Sequence, residues 1–236
     1  MGTLVTYRLD DSVATVTMDD GKVNVMSPQM LTEINAALDQ AAADRAVVVL
    51  TGREGVFSAG FDLTVLRAGG TEAVAMVRAG FELAERVLSF PTPVVVACTG
   101  HTVAMGVFLL LSGDHRIGAT GSYKIVANEV AIGLTMPRAA VEICRQRLTP
   151  AAFNRATIIA APFSPDTAVD AGFFDQVVEA AALHDVARDT AVMLSKLDLD
   201  AHAASKLRAR EQALMAIRAG IEADDFGTLR PSDARR

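Results

Sequence analysis

The chain has 236 residues, of which 51% are hydrophobic and 21% charged, so it can bury a large core and its composition excludes a disordered chain. Twenty-two Lys and Arg stand against 28 Asp and Glu, a net charge of −6, which argues against a broad nucleic-acid or anionic-membrane surface. Its two cysteines, Cys98 and Cys144, sit in apolar runs and read as buried thiols of a reducing compartment.

In chain order, Val5–Leu9 and Val13–Met18 alternate around Asp10 and Asp11, the pattern of a β-hairpin. Ser27-Pro28 opens a helix, with Ser27 as N-cap and Met30, Ile34, Ala37, Leu38 and Ala41 on one apolar face. "VVVL", Val47–Leu50, is a strand covered on both sides. A loop over Gly52–Phe61 leads to a helix over Glu72–Leu88, which Pro91 and Pro93 end before a second buried strand at Val94–Cys98.

Beyond it the pattern predicts a helix from about Gly106, short strands at Arg116–Ala119 and Tyr123–Val126, and helices at Arg138–Arg147 and Pro150–Ala160. Ser164-Pro165 caps a further short helix that ends at Gly172, and "FFDQVV", Phe173–Val178, reads as the last strand. From Ala181 to Glu222 the chain is helical and amphipathic, and Asp224–Arg236 is a polar, frayed end. Strands alternating with helices, followed by a purely helical segment, make this an α/β core at 1–180 with a helical appendage at 181–236. No basic region followed by an apolar core opens the chain and no run reaches the length of a membrane span, so a cytoplasmic protein is expected.

Three stretches can carry chemistry. In "FSAGFDL", Phe57–Leu63, a glycine between strand and helix either punctuates a turn that Asp62 caps, or opens backbone N–H groups to a ligand. In "CTGHTVAMG", Cys98–Gly106, the start of an apolar helix either packs closely through its glycines or aims unpaired amides and the positive end of its dipole at an oxygen. In "IVANEVAIG", Ile125–Gly133, Glu129 stands among apolar residues. It either tips outward or pairs with an arginine such as Arg138, or it is a poorly hydrated carboxyl able to take and return a proton. The four histidines lack metal-ligand spacing, and no serine elbow, phosphate-binding loop or dinucleotide turn is present.

Together "KVNVMS", "FSAGFDL", "GHTVAMG…SGDHRIGA" and "NEVAIGLTMP" resemble the enoyl-CoA hydratase/isomerase (crotonase) superfamily across essentially the whole chain. The resemblance implies repeated ββα turns wound into a spiral, with the C-terminal helices assembling a homotrimer or hexamer. It implies an acyl-CoA thioester as substrate, with no separate cofactor or metal. The amides of Phe61 and Met105 would hold the thioester oxygen, with Gly106 opening the helix beside the second. Lys22, Val23, Ala59, Gly60, Asp62, Leu63 and Thr64 would flank the coenzyme and acyl group. Lys206 or Arg208 could reach a coenzyme phosphate, although both also read as plain surface charges.

The sequence departs from the hydratase pattern at one position, where Phe108 stands in place of the first of two water-holding glutamates. Phe108 would instead line an apolar wall. "NEVAIG" looks more like isomerases that work with a single glutamate, here Glu129. The expectation is thus a Δ3,Δ2-enoyl-CoA isomerase; a hydratase that draws in another carboxylate such as Glu142, or a non-catalytic acyl-CoA binder, is the alternative.

Overall fold

A computed structural model of the chain describes residues 2–228. The hairpin forms as β1 (Val5–Asp10) and β2 (Val13–Met18), followed by a two-residue β3 (Val25–Met26) and helix α1 (Pro28–Ala43). Ser27 caps α1 by accepting from the Met30 amide at 3.1 Å, as its hydroxyl and the following proline imply. Next come β4 (Val47–Thr51), β5 (Gly55–Ser58), β6 (Gly60–Phe61), α2 (Leu63–Ala68) and α3 (Gly70–Leu88). The middle of the chain holds β7 (Val94–Cys98), β8 (Gly100–Val103), α4 (Met105–Ser112), β9 (His115–Ala119) and β10 (Ile125–Val126). Then follow α5 (Arg138–Arg145), α6 (Pro150–Ile159), α7 (Pro165–Ala171), β11 (Gln176–Val178), α8 (Leu183–Leu194) and α9 (Leu199–Ala223).

A six-stranded sheet runs β1-β2-β4-β7-β9-β11, parallel except for the hairpin, and a three-stranded parallel sheet runs β10-β8-β5. Each turn of the chain therefore lays one strand in the large sheet and the next in the small one before a helix returns it, so β4-β5-α3 and β7-β8-α4 stack as a ββα spiral. Every residue of β4 and β7 is buried. Such all-apolar runs can exist only where both faces of a parallel sheet are covered.

The structure corrects the sequence reading where strands are short. Gly52–Phe61 and Gly100–Gly106 were expected as loops, yet they contain β5, β6 and β8. These segments lack an apolar run; β5 and β8 are strands because they pair with each other, Gly55 opposite Gly100 and Val56 opposite His101, and β6 because it pairs with β3, Gly60 opposite Val25. A Cβ on Gly100 would lie 2.1 Å from the Gly55 carbonyl carbon, so that crossing needs glycine. The strand expected at Tyr123–Val126 starts only at Ile125, because the Tyr123 hydroxyl turns back to the Ala119 carbonyl at 2.5 Å. The last strand is Gln176–Val178; Phe173 and Phe174 enter the core instead.

The C-terminal stretch, expected to be helical, forms two helices. The first ends at Leu194 with Ser195 as its C-cap, and Asp198 caps α9, accepting from the Ala201 amide at 2.9 Å. Helix α8 packs on β4, β7 and β9, and α9 on α5 and α3. The polar end was expected to fray from Asp224, but Asp224 accepts from the Arg138 amide at 2.7 Å and Phe226, in a 3-10 turn, is 4% exposed. Residues 229–236 of that end lie outside the described residues.

Candidate active site

Asn24 organises the first wall of the site. Fully buried and held at φ 52°, it donates from Nδ2 to the carbonyls of Met18 and Phe57. Its own carbonyl accepts from the Ser58 hydroxyl at 2.7 Å, and Ser58 Oγ accepts in turn from the Gly60 amide at 3.1 Å. The Ala59 amide donates to the Val23 carbonyl, so the loop carrying Lys22 and Val23 is fastened to the "SAGFD" turn. Gly60 then takes φ +86°, a left-handed value that glycine supplies without a Cβ clash. Asp62 caps α2 by accepting from the Thr64 amide at 2.8 Å.

The second wall is the start of α4. Its N-cap, Ala104, sits at φ 49°, ψ −120°, a strained backbone for an L-residue. Met105 is the first helical residue, and amides of the first turn have no intrahelical acceptor. The helix begins one residue before the expected Gly106, which rests on Ser58: a Cβ there would lie 2.8 Å from the Ser58 carbonyl oxygen. The two turns meet at Gly60, where a Cβ would fall 2.8 Å from Ala104 Cβ and 3.4 Å from the Met105 nitrogen.

The third wall carries Glu129. Along Ile125–Glu129 alternate residues turn inward, and a 3-10 turn over Val130–Ile132, closed by Gly133 in the left-handed region, then turns the chain away. The Glu129 carbonyl accepts from the amides of Ile132 and Leu134, which pins its backbone. Its side chain is buried, Oε2 has no hydrogen-bond partner, and burial pushes its carboxyl up to about 7. Neither bland alternative for this residue is realised: it does not tip outward, and Arg138 pairs with Asp224 instead.

These walls enclose a cavity of about 120 Å³. Ala59, Phe61 and Leu63 line it from the first turn, Ala104 from the second, and Asn128, Glu129, Ile132, Leu134 and Pro137 from the third. Leu66 of α2 and Val77 and Phe81 of α3 complete an apolar lining in which, among the described residues, Glu129 is the single ionisable side chain. Asn128, passed over as a site residue in the sequence, shares this space with a buried and unpartnered Oδ1.

Of the remaining candidates, Lys22, Val23, Leu63 and Thr64 are exposed around the same turn. Phe108 does not line the cavity; it is 1% exposed and packs behind Phe81, with ring centroids 5.8 Å apart. Glu142 faces away from Glu129, paired with Arg145 beside α9. Arg208 lies on the exposed face of α9 with Glu85 and Glu211.

Lys206 is not a surface charge and cannot reach a phosphate. It is 6% exposed, donating to Asp114 at 2.6 Å and to the carbonyls of Phe90 and Thr92. Burial lowers its ammonium to about 8, with Asp114 opposing that fall. Asp114 also pairs with Arg210 at 2.9 Å and accepts from the Val94 amide. Because Asn cannot balance these cations, Asp114→Asn should cost about 3 kcal/mol of stability in urea denaturation. An unchanged midpoint would show that the cluster carries no such charge balance.

The sequence profile of the enoyl-CoA hydratase/isomerase family matches residues 8–226. Among curated relatives, a probable enoyl-CoA hydratase of Mycobacterium avium is 34% identical over 128 residues, 53% of this chain and 49% of that protein, so the match spans about half its length. Among solved structures, an enoyl-CoA hydratase from Mycobacterium marinum is 49% identical with a TM-score of 0.89, covering 93% of this chain and 96% of that one. A Mycobacterium tuberculosis protein, named an enoyl-CoA isomerase in one structure and a probable enoyl-CoA hydratase in another, is 50% identical with a TM-score of 0.90, the first structure covering 94% of this chain and 97% of that one. Fold, converging turns and profile agree, and the chain belongs to the enoyl-CoA hydratase/isomerase family.

Proposed function

We propose that this protein is a Δ3,Δ2-enoyl-CoA isomerase that works with one carboxylate. Glu129 takes a proton from C2 of a 3-enoyl thioester, and electrons move onto the thioester oxygen as the double bond shifts. The amides of Phe61 and Met105 donate to that oxygen while it is negative, and the protonated Glu129 returns the proton at C4. Donors preset in a water-poor site of this kind are worth about 3 kcal/mol each. Lys22, Val23, Ala59, Gly60, Asp62, Leu63 and Thr64 hold the coenzyme and the carbonyl end along the first turn.

One observation carries the reading: Glu129 is a buried carboxyl with an unpartnered oxygen, alone among ionisable groups in an apolar cavity. A single base suits proton transfer between C2 and C4 on one face. The hydratases that this chain resembles orient the added water with a second carboxylate, and at that position stands Phe108, sealed behind Phe81, so that the polar group beside Glu129 is the amide of Asn128. A base whose carboxyl titrates near neutrality accepts and releases a proton at comparable cost.

The test is a paired assay. Converted 3-hexenoyl-CoA with no 3-hydroxybutyryl-CoA from crotonyl-CoA is the expected result. Hydration of crotonyl-CoA at a comparable kcat/KM would replace this reading with a hydratase.

The proposal extends to assembly. Val192, Met193, Leu197, Leu207 and Met215, exposed by 40–68%, give the 181–236 segment an apolar surface suited to a homotrimer, which light scattering would report as three copies. No helix among the described residues is long and apolar enough to cross a membrane.

A further inference from the structure

The wall of the cavity that α3 supplies is built differently from the others. Phe81, 1% exposed, lines the cavity from α3, and three aromatic rings hold it. Phe61 meets it edge-on at 6.2 Å, Phe108 is tilted against it at 5.8 Å, and Phe226 stacks on it at 5.9 Å with 16° between planes. Phe226 comes from outside the spiral, in the 3-10 turn that follows α9. It is itself held in place, with the Arg78 guanidinium 5.9 Å from its ring centroid and Arg78 ion-paired to Glu222 at 3.2 Å. The last described turn of the chain thus braces the wall that an acyl group would meet.

The cavity itself is small. An apolar cavity of about 150 Å³ takes a guest the size of benzene. At about 120 Å³ this one is smaller still, which leaves room for a short acyl chain. Phe81 is one wall of that space, and a stacked ring on one side with a tilted ring on another resists its displacement.

We propose that Phe226 is a specificity-determining positioning residue: by bracing Phe81 it fixes this wall of the acyl cavity and limits the enzyme to short-chain 3-enoyl thioesters. The chain-length assignment rests on the isomerase reading given above, whereas the wall itself does not.

Two measurements on the full chain separate them. The first compares kcat/KM for 3-hexenoyl-CoA and 3-dodecenoyl-CoA in wild type, Phe226→Ala, Phe226→Leu and Phe81→Ala. The second measures binding of the saturated hexanoyl-CoA and dodecanoyl-CoA by calorimetry, which needs no turnover.

Wild type should prefer the six-carbon substrate by at least about tenfold, mainly in KM, and Phe226→Ala should reduce that preference about tenfold. Phe81→Ala should do so further, and Phe226→Leu, which keeps bulk behind the ring, should restore most of it. The saturated thioesters should rank in the same order. A wild type indifferent to chain length, or a Phe226→Ala variant with the wild-type ratio and wild-type melting temperature, overturns the proposal. If Phe226→Ala melts early, Phe81→Ala carries the test: it lies in the cavity, and an unaltered binding ratio there overturns the wall equally. Thioester binding with the expected length ranking but no isomerisation of either 3-enoyl substrate would instead leave the wall standing and remove the isomerase.

Discussion

Glu129→Gln should lower the rate of double-bond migration by about a thousandfold while thioester binding stays within a few-fold of wild type, because general-base contributions run from about 10² to 10⁴. The amide keeps the size of the carboxyl and loses its ability to take a proton. Wild-type kcat should itself depend on pH in a defined direction. The working form is the carboxylate, and burial raises this group from 4.5 to about 7. Turnover should therefore fall as pH drops through 7 and level off above it.

The same shift makes an independent prediction for stability. An acid whose folded pKa is raised binds its proton more tightly when folded. Its favourable contribution is complete below pH 4.5 and is lost as pH rises to about 7. At pH 8 the buried carboxylate costs the fold about 3 kcal/mol relative to its neutral form. Glu129→Gln should consequently be more stable than wild type at pH 8, by an amount that shrinks toward zero below pH 4.5, as read by denaturation midpoints. A variant that keeps full isomerase activity would remove the proposed base. A variant no more stable at pH 8 would show that the carboxyl is solvated.

The second large effect concerns Gly60, where the two turns meet. Alanine at φ +86° is strained, and its Cβ would lie 2.8 Å from Ala104 Cβ and 3.0 Å from the Val103 oxygen, both parts of the opposite turn. The contact involves a second backbone rather than the tip of a flexible side chain, so the turns must separate. Separation displaces the Phe61 amide from the Met105 amide. Removing one donor to a developing oxyanion costs about 10² to 10³ in kcat, and Gly60→Ala should fall in that range. The strain should also cost about 1–3 kcal/mol of stability. The signature is a drop in kcat at nearly constant KM, since ground-state thioester binding draws mostly on the coenzyme. Unimpaired turnover in a folded Gly60→Ala protein would mean that these two turns do not share the oxygen.

The aromatic brace and the glutamate illustrate two kinds of information. Val47–Leu50, Val94–Cys98 and the Ser27-Pro28 helix start are legible as written, because burial on both faces and capping are local constraints that particular residues satisfy. The same holds for Gly60 and Gly106, where a left-handed backbone and a close approach that few residue types tolerate leave a spelling in the chain, and for Glu129, a lone carboxyl in an apolar run. The motifs they belong to carry the family resemblance that implied the ββα spiral.

What the sequence by itself determined was therefore the succession of buried strands, capped helices and glycine turns, and the presence of one carboxyl in an apolar context. Only the tertiary structure decided that β5 and β8 are strands, that Lys206 is buried against Asp114, and that Phe108 stands behind Phe81 while Phe226 returns from the chain's far end to brace it. The physical reason is the reach of the interactions involved. Propensity, capping and backbone strain act between residues a few positions apart, whereas strand pairing, charge burial and ring stacking depend on partners up to 145 positions away, as Phe81 and Phe226 are.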